Sequence, residues 1–230
     1  MATVATAFKT GTHEAGWLKP SDQKHYQRIF EAQAAKTYLY LSLGIGLIAA
    51  LLPVWLMLAG GYRGHDSISS YYTIEVWPSR DILVGSLCAV GVFLFLFHGL
   101  SKAENWLLNF AGITVIAVAL IPMTVSVVLH RGFAIVFFLL IGIVAIFFSK
   151  KRIERIPHKR ARRVFTALYT AAGTAMIVLP LVIAALQLWP VSRFQHWMFW
   201  IECAAIWSFS GYWILKTTEY RMLLRIRWMS

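Results

Sequence analysis

Four side chains in this sequence have the types and positions that could do chemistry inside or beside a membrane. Glu202 is the only carboxylate clearly within a predicted membrane span, where a charged group is costly unless it has a partner or binds a proton. His130, His196 and Asp81 lie at the ends of other apolar stretches. Carboxylates and imidazoles can transfer protons, coordinate a divalent metal or hold a charged ligand. These four are the candidate catalytic residues, although their types alone do not decide whether a reaction occurs.

A hydroxyl-rich loop supplies the second part of the candidate site. It runs from Ser67 to Tyr72 as Ser-Ile-Ser-Ser-Tyr-Tyr, after the first long apolar stretch. Hydroxyl and guanidinium groups can bind anionic head groups. We predict that Glu202 and His130 form a polar pair and that Arg80 or Arg131 binds the anion; a purely structural role is the alternative. The predicted ligand-binding residues are Ser67, Ser69, Tyr71, Tyr72, Arg80, Asp81, His130, Arg131 and Glu202.

The composition indicates that these residues belong to a membrane protein. The chain has 230 residues, of which 59% are apolar and 14% charged, whereas a soluble domain is about half apolar and about a quarter charged. A soluble fold of this size would lack the polar residues needed to cover its surface. Cys88 and Cys203 lie in apolar runs without a Cys-x-x-Cys motif, which excludes a disulfide scaffold or a thiolate zinc site.

Six apolar stretches are long enough, or nearly so, to cross a bilayer, which takes about 20 residues. We therefore predict an all-α fold, a six-helix transmembrane bundle within residues 38–216. Residues 1–37 are expected to form an N-terminal cytoplasmic segment with a surface helix, and residues 217–230 a basic amphipathic cytoplasmic tail. The predicted spans are 38–60, 82–100, 106–129, 132–148, 165–189 and 197–215.

The distribution of positive charge predicts how the chain crosses the membrane. With six spans, 18 Lys and Arg residues fall on one side and four on the other. Because the positive side faces the cytoplasm, both termini are predicted to be cytoplasmic and the candidate site to lie at the outer face. The cluster from Lys150 to Arg163 lies between two spans, so we expect it to contact anionic lipid head groups and not nucleic acid. The compact chain, without a targeting segment, is expected in the inner membrane of a bacterium.

Several short runs resemble bacterial membrane proteins of unknown function, in particular the Frag/DRAM/Sfk group. The shared features are a Ser-Ile-Ser start after the first helix (Ser67–Ser69), a His before an Ala and paired Phe (His130–Phe138), and a late Glu in the last helix (Glu202). The full runs are residues 67–72, 80–85, 105–112, 130–138 and 199–209. Members of that group are implicated in handling lipids and lipid anchors, so the resemblance implies a membrane protein that interacts with lipids.

Two further interpretations stay open. Ser69, Asp81, His130 and His196 are similar in type to the residues of the CREST membrane hydrolases, which include alkaline ceramidases and use a Ser, an Asp and three His around zinc. The chain departs from that superfamily in having six predicted helices instead of seven and Trp200 where a second histidine would follow His196. Zinc enters only through this alternative, and no residues are assigned to a metal. A small-solute or ion channel or transporter is the other alternative, and a homo-oligomer is left open.

Overall fold

The computed structural model describes residues 20–61, 66–73, 77–149, 153–154, 156, 158–187 and 195–229, with side chains from Tyr26 onward except at 195–196 and 223–229. Within this part the chain is helical, which confirms the predicted all-α, six-helix fold. A 3₁₀ helix at Ile68–Tyr72 follows α1, and a π-helical turn at Val144–Phe148 extends α4. The six long helices are α1 (Pro20–Gly60), α2 (Ser79–Leu96), α3 (Lys102–Leu120), α4 (Val127–Ile143), α5 (Lys159–Gln187) and α6 (Gln195–Met229).

The six helices form a closed ring, because each packs against its neighbours in sequence and α6 returns to pack against α1. Hydrogen bonds join α6 to α1 along this contact. Ser210 Oγ donates to the Gly46 carbonyl at 2.7 Å, and Trp207 Nε1 donates to the Ala50 carbonyl at 3.1 Å. Side-chain hydrogen bonds of this kind hold helices together in hydrocarbon, where burial of apolar surface gives little driving force.

The middle of α1 and the C-terminal third of α6 lie side by side. The ring of Tyr38 stacks on that of Tyr220, with 5.7 Å between the ring centres. We call this the terminal end of the bundle. The opposite end holds residues 66–73 and the beginnings of α2, α4 and α6, and we call it the cavity end.

Glycine pairs bring neighbouring helices into close contact. A Cβ atom built on Gly91 of α2 would lie 2.8 Å from the Gly112 carbonyl oxygen of α3. Gly142 of α4 and Gly173 of α5 form a second pair, since a Cβ atom on Gly142 would lie 2.9 Å from the Gly173 carbonyl oxygen. Such small residues allow helix backbones to approach closely in membranes.

Five helices, α1 to α5, include stretches long and apolar enough to cross a membrane. The exterior of the ring suits lipid, since bulky apolar side chains such as Leu58 and Val128 are 80% and 81% exposed. α6 is also long enough, at 35 residues, and it carries Glu202, Lys216 and Glu219. The structure is thus that of a polytopic helical membrane protein.

α3 ends well before the end predicted for the third span, and this difference moves a candidate residue. The third span was predicted to extend to residue 129, but α3 ends at Leu120 and a turn at 121–126 follows. Pro122 lacks the backbone N–H that would continue the helix. Ser126 then caps α4, its Oγ accepting a hydrogen bond from the Leu129 amide at 3.3 Å. His130 therefore lies in the first turn of α4 and not in a connecting turn.

The two terminal segments continue the outer spans. α1 is unbroken from Pro20, so the stretch expected to hold a surface helix extends the first span without interruption. The expected tail likewise extends α6 without a break as far as Met229. Residues 1–19 lie outside the described part of the chain.

Gly91→Ala is expected to destabilise the bundle by about 1–3 kcal/mol, because the added methyl group would collide with the backbone of α3. Gly85→Ala is the matched control on the same helix, since no atom lies within 4 Å of its added Cβ. Thermal unfolding of the two variants in detergent measures the difference. Equal melting temperatures would contradict the close packing of α2 and α3.

Candidate functional site

Residues 67–72 are folded into a compact cap at the cavity end. Ser67 Oγ accepts a hydrogen bond from the Ser69 amide at 3.1 Å and so caps the 3₁₀ helix. Ser70 Oγ donates to the Ser67 carbonyl at 2.6 Å. Tyr71 points into the core, and its hydroxyl donates to the Gly61 carbonyl at 2.5 Å. These bonds hold the cap against the end of α1, and we refer to residues 67–72 as the cap.

Glu202 binds the beginning of this cap. Its carboxylate lies about two turns into α6. Ser67 Oγ is 2.9 Å from both carboxylate oxygens, and the Ile68 amide donates to Oε2 at 2.6 Å. Short hydrogen bonds to a charged acceptor are stronger than neutral ones. The carboxylate that the sequence places within a span is therefore satisfied by a hydroxyl and a backbone amide.

His130 binds the next hydroxyl of the same cap. Its Nδ1 is 2.8 Å from the Ile121 carbonyl oxygen, and its Nε2 is 2.9 Å from Ser69 Oγ. Because a carbonyl oxygen only accepts, the neutral ring carries its proton on Nδ1 and leaves Nε2 as an acceptor for the Ser69 hydroxyl. The predicted direct pair of Glu202 and His130 is wrong: the two side chains bind successive parts of one segment.

A cavity of about 180 Å³ opens beneath the cap. Its polar wall is at the cavity end, and its remaining walls are apolar side chains contributed by all six helices. The polar wall consists of Ser67, Ser69, His130, Arg131 and Glu202, and Gln187 also lines the cavity. The apolar walls include Leu52, Leu87, Val115, Phe137, Ile183 and Phe209. The arrangement suits a molecule with one polar end and one apolar end.

The structure brings most of the predicted ligand-binding residues to this cavity, which Tyr72 also lines. Three of them lie elsewhere. Tyr71 is in the core, and Asp81 is exposed in the first turn of α2. Arg80 is exposed, and its guanidinium lies 4.6 Å from the centre of the Tyr72 ring and donates to the Tyr72 hydroxyl at 3.0 Å. The sequence shows how close each of these residues is to the end of a span, but it does not show which way the side chain points.

The remaining candidate is His196, whose side chain lies outside the described residues although its backbone begins α6. Among the described residues, no group of three or more His, Cys, Asp and Glu side chains could hold a metal ion. Of the residues similar in type to the zinc hydrolases, Ser69 and His130 meet, while Asp81 does not line their cavity. The zinc alternative stays a prediction.

A second buried polar cluster, near the terminal end, was missed from the sequence. Lys216 and Glu104 are 2% and 1% exposed and form an ion pair at 3.3 Å. Lys216 also donates to the Tyr212 hydroxyl at 3.1 Å, and the Tyr169 hydroxyl donates to Glu219. Glu104 and Glu219, which lie outside the predicted spans, are therefore buried carboxylates of the bundle as well.

One local signal could have identified part of this cluster. Ser101-Lys-Ala-Glu104 has the spacing of a capping box. Ser101 Oγ accepts from the Glu104 amide at 3.1 Å, and the Glu104 carboxylate accepts from the Leu100 amide at 2.8 Å. The pairing with Lys216, 112 residues later, has no such local signal.

Comparisons with known proteins find no matching family model, no matching curated protein and no matching solved structure. The resemblance to the Frag/DRAM/Sfk group accordingly stays a prediction. The geometry of the cavity and its polar wall is the basis for a functional proposal.

Glu202→Leu is expected to destabilise the protein by about 1–3 kcal/mol, because the Ile68 amide would lose its buried acceptor. Glu202→Gln keeps one acceptor oxygen and should lose less. Combining Glu202→Leu with Ser67→Ala should give a non-additive loss, since each change alone removes the same contact. Unfolding free energies from SDS titration measure these effects, and additive losses would contradict the contact.

Proposed function

We propose that this chain is a polytopic inner-membrane protein that binds an anionic amphiphile, with the polar group beneath the cap and an apolar chain in the cavity. The observation that carries the proposal is the polarity of the cavity walls. Polar and charged side chains meet at one end, and apolar side chains from all six helices form the rest. A lipid-handling role is also what the resemblance to the Frag/DRAM/Sfk group implies.

The cavity volume limits what can enter. An apolar cavity of about 150 Å³ is large enough for benzene. The 180 Å³ present here therefore fits a short stretch of one acyl or isoprenoid chain and not the two chains of a phospholipid. The rest of a longer ligand would remain between the helices or in the surrounding bilayer.

The polar group must supply most of the selectivity. Moving a chain from lipid into an apolar cavity gains little free energy, since lipid tails are themselves apolar. Arg131 is the one positively charged side chain among the described residues that line the cavity. A guanidinium group binds phosphate or carboxylate through two parallel hydrogen bonds. Arg131 is therefore the proposed ligand for the anionic group, and Arg80, held by Tyr72 outside the cavity, is not.

A second lipid contact is proposed at the terminal end. Lys159, Arg162 and Arg163 line one concave surface at the start of α5, together with Thr166 and Ala167. Basic residues beside a membrane span attract anionic lipids of the cytoplasmic leaflet. These three residues belong to the cluster Lys150–Arg163, of which positions 150–152, 155 and 157 lie outside the described residues. No nucleic-acid partner is needed to account for the charge.

The channel alternative has less support than lipid binding. Phe209 lines the cavity, and its ring lies 5.3 Å from that of Phe137 and 6.2 Å from that of Trp213. Trp213 is fully buried and lies 4.9 Å from Nζ of Lys216, near the terminal end. These aromatic rings fill the core between the cavity and the Glu104–Lys216 pair. Such packing favours a binding cavity over a continuous polar path.

The proposed orientation places the cavity end outside the cytoplasm and is testable by labelling. Trp77 is exposed at the cavity end and Lys159 is exposed at the terminal end. With both native cysteines replaced by alanine, Trp77→Cys should react with a membrane-impermeant maleimide in intact cells. Lys159→Cys should react only after permeabilisation. Labelling of both positions in intact cells, or of Lys159→Cys alone, would contradict the orientation inferred from the positive charges.

Lipid binding is testable by native mass spectrometry of the delipidated protein titrated with phosphatidylglycerol, with phosphatidylcholine as the zwitterionic comparison. Arg131→Gln should weaken phosphatidylglycerol binding about tenfold or more, because a hydrogen bond between charged groups contributes about 1.5–3 kcal/mol. Arg80→Gln makes the same change of charge outside the cavity and should leave affinity unchanged.

A second pair of variants tests the chain-binding part of the cavity. Ala184→Phe fills the cavity from α5 and should reduce binding, whereas Val128→Phe adds the same ring on the lipid-facing exterior. Equal affinity in all four variants and the native protein would refute the proposed site.

A further inference from the structure

We propose that Ser69 and His130 form an acyl-transfer pair, with Ser69 Oγ as the nucleophile, His130 Nε2 as the base and an ester of an apolar chain as the substrate. This inference rests on the proposed amphiphile site, because the ester would occupy the same cavity. The two side chains line the polar wall of that cavity, and their atoms are 2.9 Å apart. A nucleophilic hydroxyl needs such a base within hydrogen-bond distance.

The imidazole of His130 is oriented so that its Nε2 atom can act as a base. The Ile121 carbonyl, 2.8 Å from Nδ1, fixes the proton of the neutral ring on that nitrogen. Nε2 then has its lone pair directed at the Ser69 hydroxyl. A third group that orients the base in this way is a general feature of activated serine nucleophiles. Here the third group is a backbone carbonyl.

The end of α3 explains why this carbonyl is available. In a continuing helix the Ile121 carbonyl would accept the amide of residue 125. The Val125 amide instead donates to the Pro122 carbonyl at 3.0 Å, as does the Ser126 amide at 3.2 Å. The helix break at Pro122 therefore leaves the Ile121 carbonyl to His130 and places α4 so that His130 faces the cap.

The cap distinguishes Ser69 from its neighbouring serines. Ser67 Oγ binds the Glu202 carboxylate, and Ser70 Oγ binds the Ser67 carbonyl. Ser69 Oγ is the hydroxyl of the cap that meets an imidazole. Because Glu202 holds Ser67 and the Ile68 amide, it fixes the backbone that carries Ser69. Glu202 is thus a positioning residue for this pair.

The chemistry balances with water as the co-reactant. Ser69 Oγ attacks the ester carbonyl carbon while its proton passes to His130 Nε2. The bond to the leaving alcohol then breaks, and Nε2 returns that proton to the alcohol oxygen. Water then attacks the acyl carbon while its proton passes to Nε2. The bond from that carbon to Ser69 Oγ breaks, Nε2 returns the proton to Oγ, and the acyl group leaves as a carboxylic acid.

A fluorophosphonate tests the nucleophile directly, since an activated serine displaces fluoride and forms a bond from Oγ to phosphorus. We expect mass spectrometry of the native protein, treated in detergent, to find the adduct on Ser69. Ser69→Ala should abolish this adduct, and Ser208→Ala, the control at a serine of α6 whose hydroxyl donates to the Ala204 carbonyl of its own helix, should not affect its formation. His130→Gln can keep hydrogen bonds but cannot take up the proton, so labelling should slow about 100-fold or more.

The outcomes separate this inference from the proposed function. Absence of the Ser69 adduct in native protein, or equal labelling rates in native protein and His130→Gln, would overturn the acyl-transfer pair. If the native protein fails this test but still binds phosphatidylglycerol through Arg131, the proposed amphiphile site is supported. The hydrogen bond between Ser69 and His130 then only joins the cap to α4. Labelling of Ser69 together with unchanged lipid binding in Arg131→Gln would support the pair and refute the proposed binding role of Arg131. Thermal unfolding of each variant confirms that it is folded.

Discussion

Glu202 must find hydrogen-bond donors inside the helical bundle, and the donors it finds decide where the cap lies. Within hydrocarbon there is no water to satisfy a buried carboxylate, so its partners must come from the protein. They come from Ser67 and the Ile68 amide, at 2.6–2.9 Å. This contact joins α6 to the segment that follows α1 and closes the cavity end of the ring. The position of Ser69 against His130 follows from it.

At the terminal end, too, a buried carboxylate must obtain its partners from the protein, but here one partner is a cation. There Lys216 of α6 pairs with Glu104 of α3, and aromatic rings surround the ammonium group at 4.5–5.3 Å. A buried ion pair recovers its desolvation cost only when further partners satisfy both groups, which these contacts and the Leu100 amide do. α6 thus carries polar contacts at both ends of the ring.

The cavity between these two ends combines apolar walls with one polar wall. Apolar walls alone would not distinguish a ligand from the surrounding lipid, and a polar cluster alone would not hold a chain. Together they favour an amphiphile whose polar group lies next to Arg131, Ser69 and His130. The hydroxyl and imidazole then lie where an ester bond between the polar and apolar parts of such a ligand would be placed. The proposed binding and the proposed acyl transfer are separate uses of this one arrangement.

The sequence by itself determined the class of fold, since apolar length decides how many helices a chain of this composition forms. It also determined that Glu202, His130 and Ser67–Ser69 would share one end of the bundle, because alternate connections of a helical bundle lie at the same end.

The tertiary structure decided the pairings, which put Glu202 with Ser67 instead of His130 and paired Glu104 with Lys216. It also decided that Tyr71 faces the core and that Arg80 and Asp81 are exposed. The physical reason is that hydropathy reports how deep a residue lies, whereas a hydrogen bond depends on helix rotation and on where each helix ends. Pro122 shows this most clearly: by ending α3 at Leu120 it freed the Ile121 carbonyl for His130.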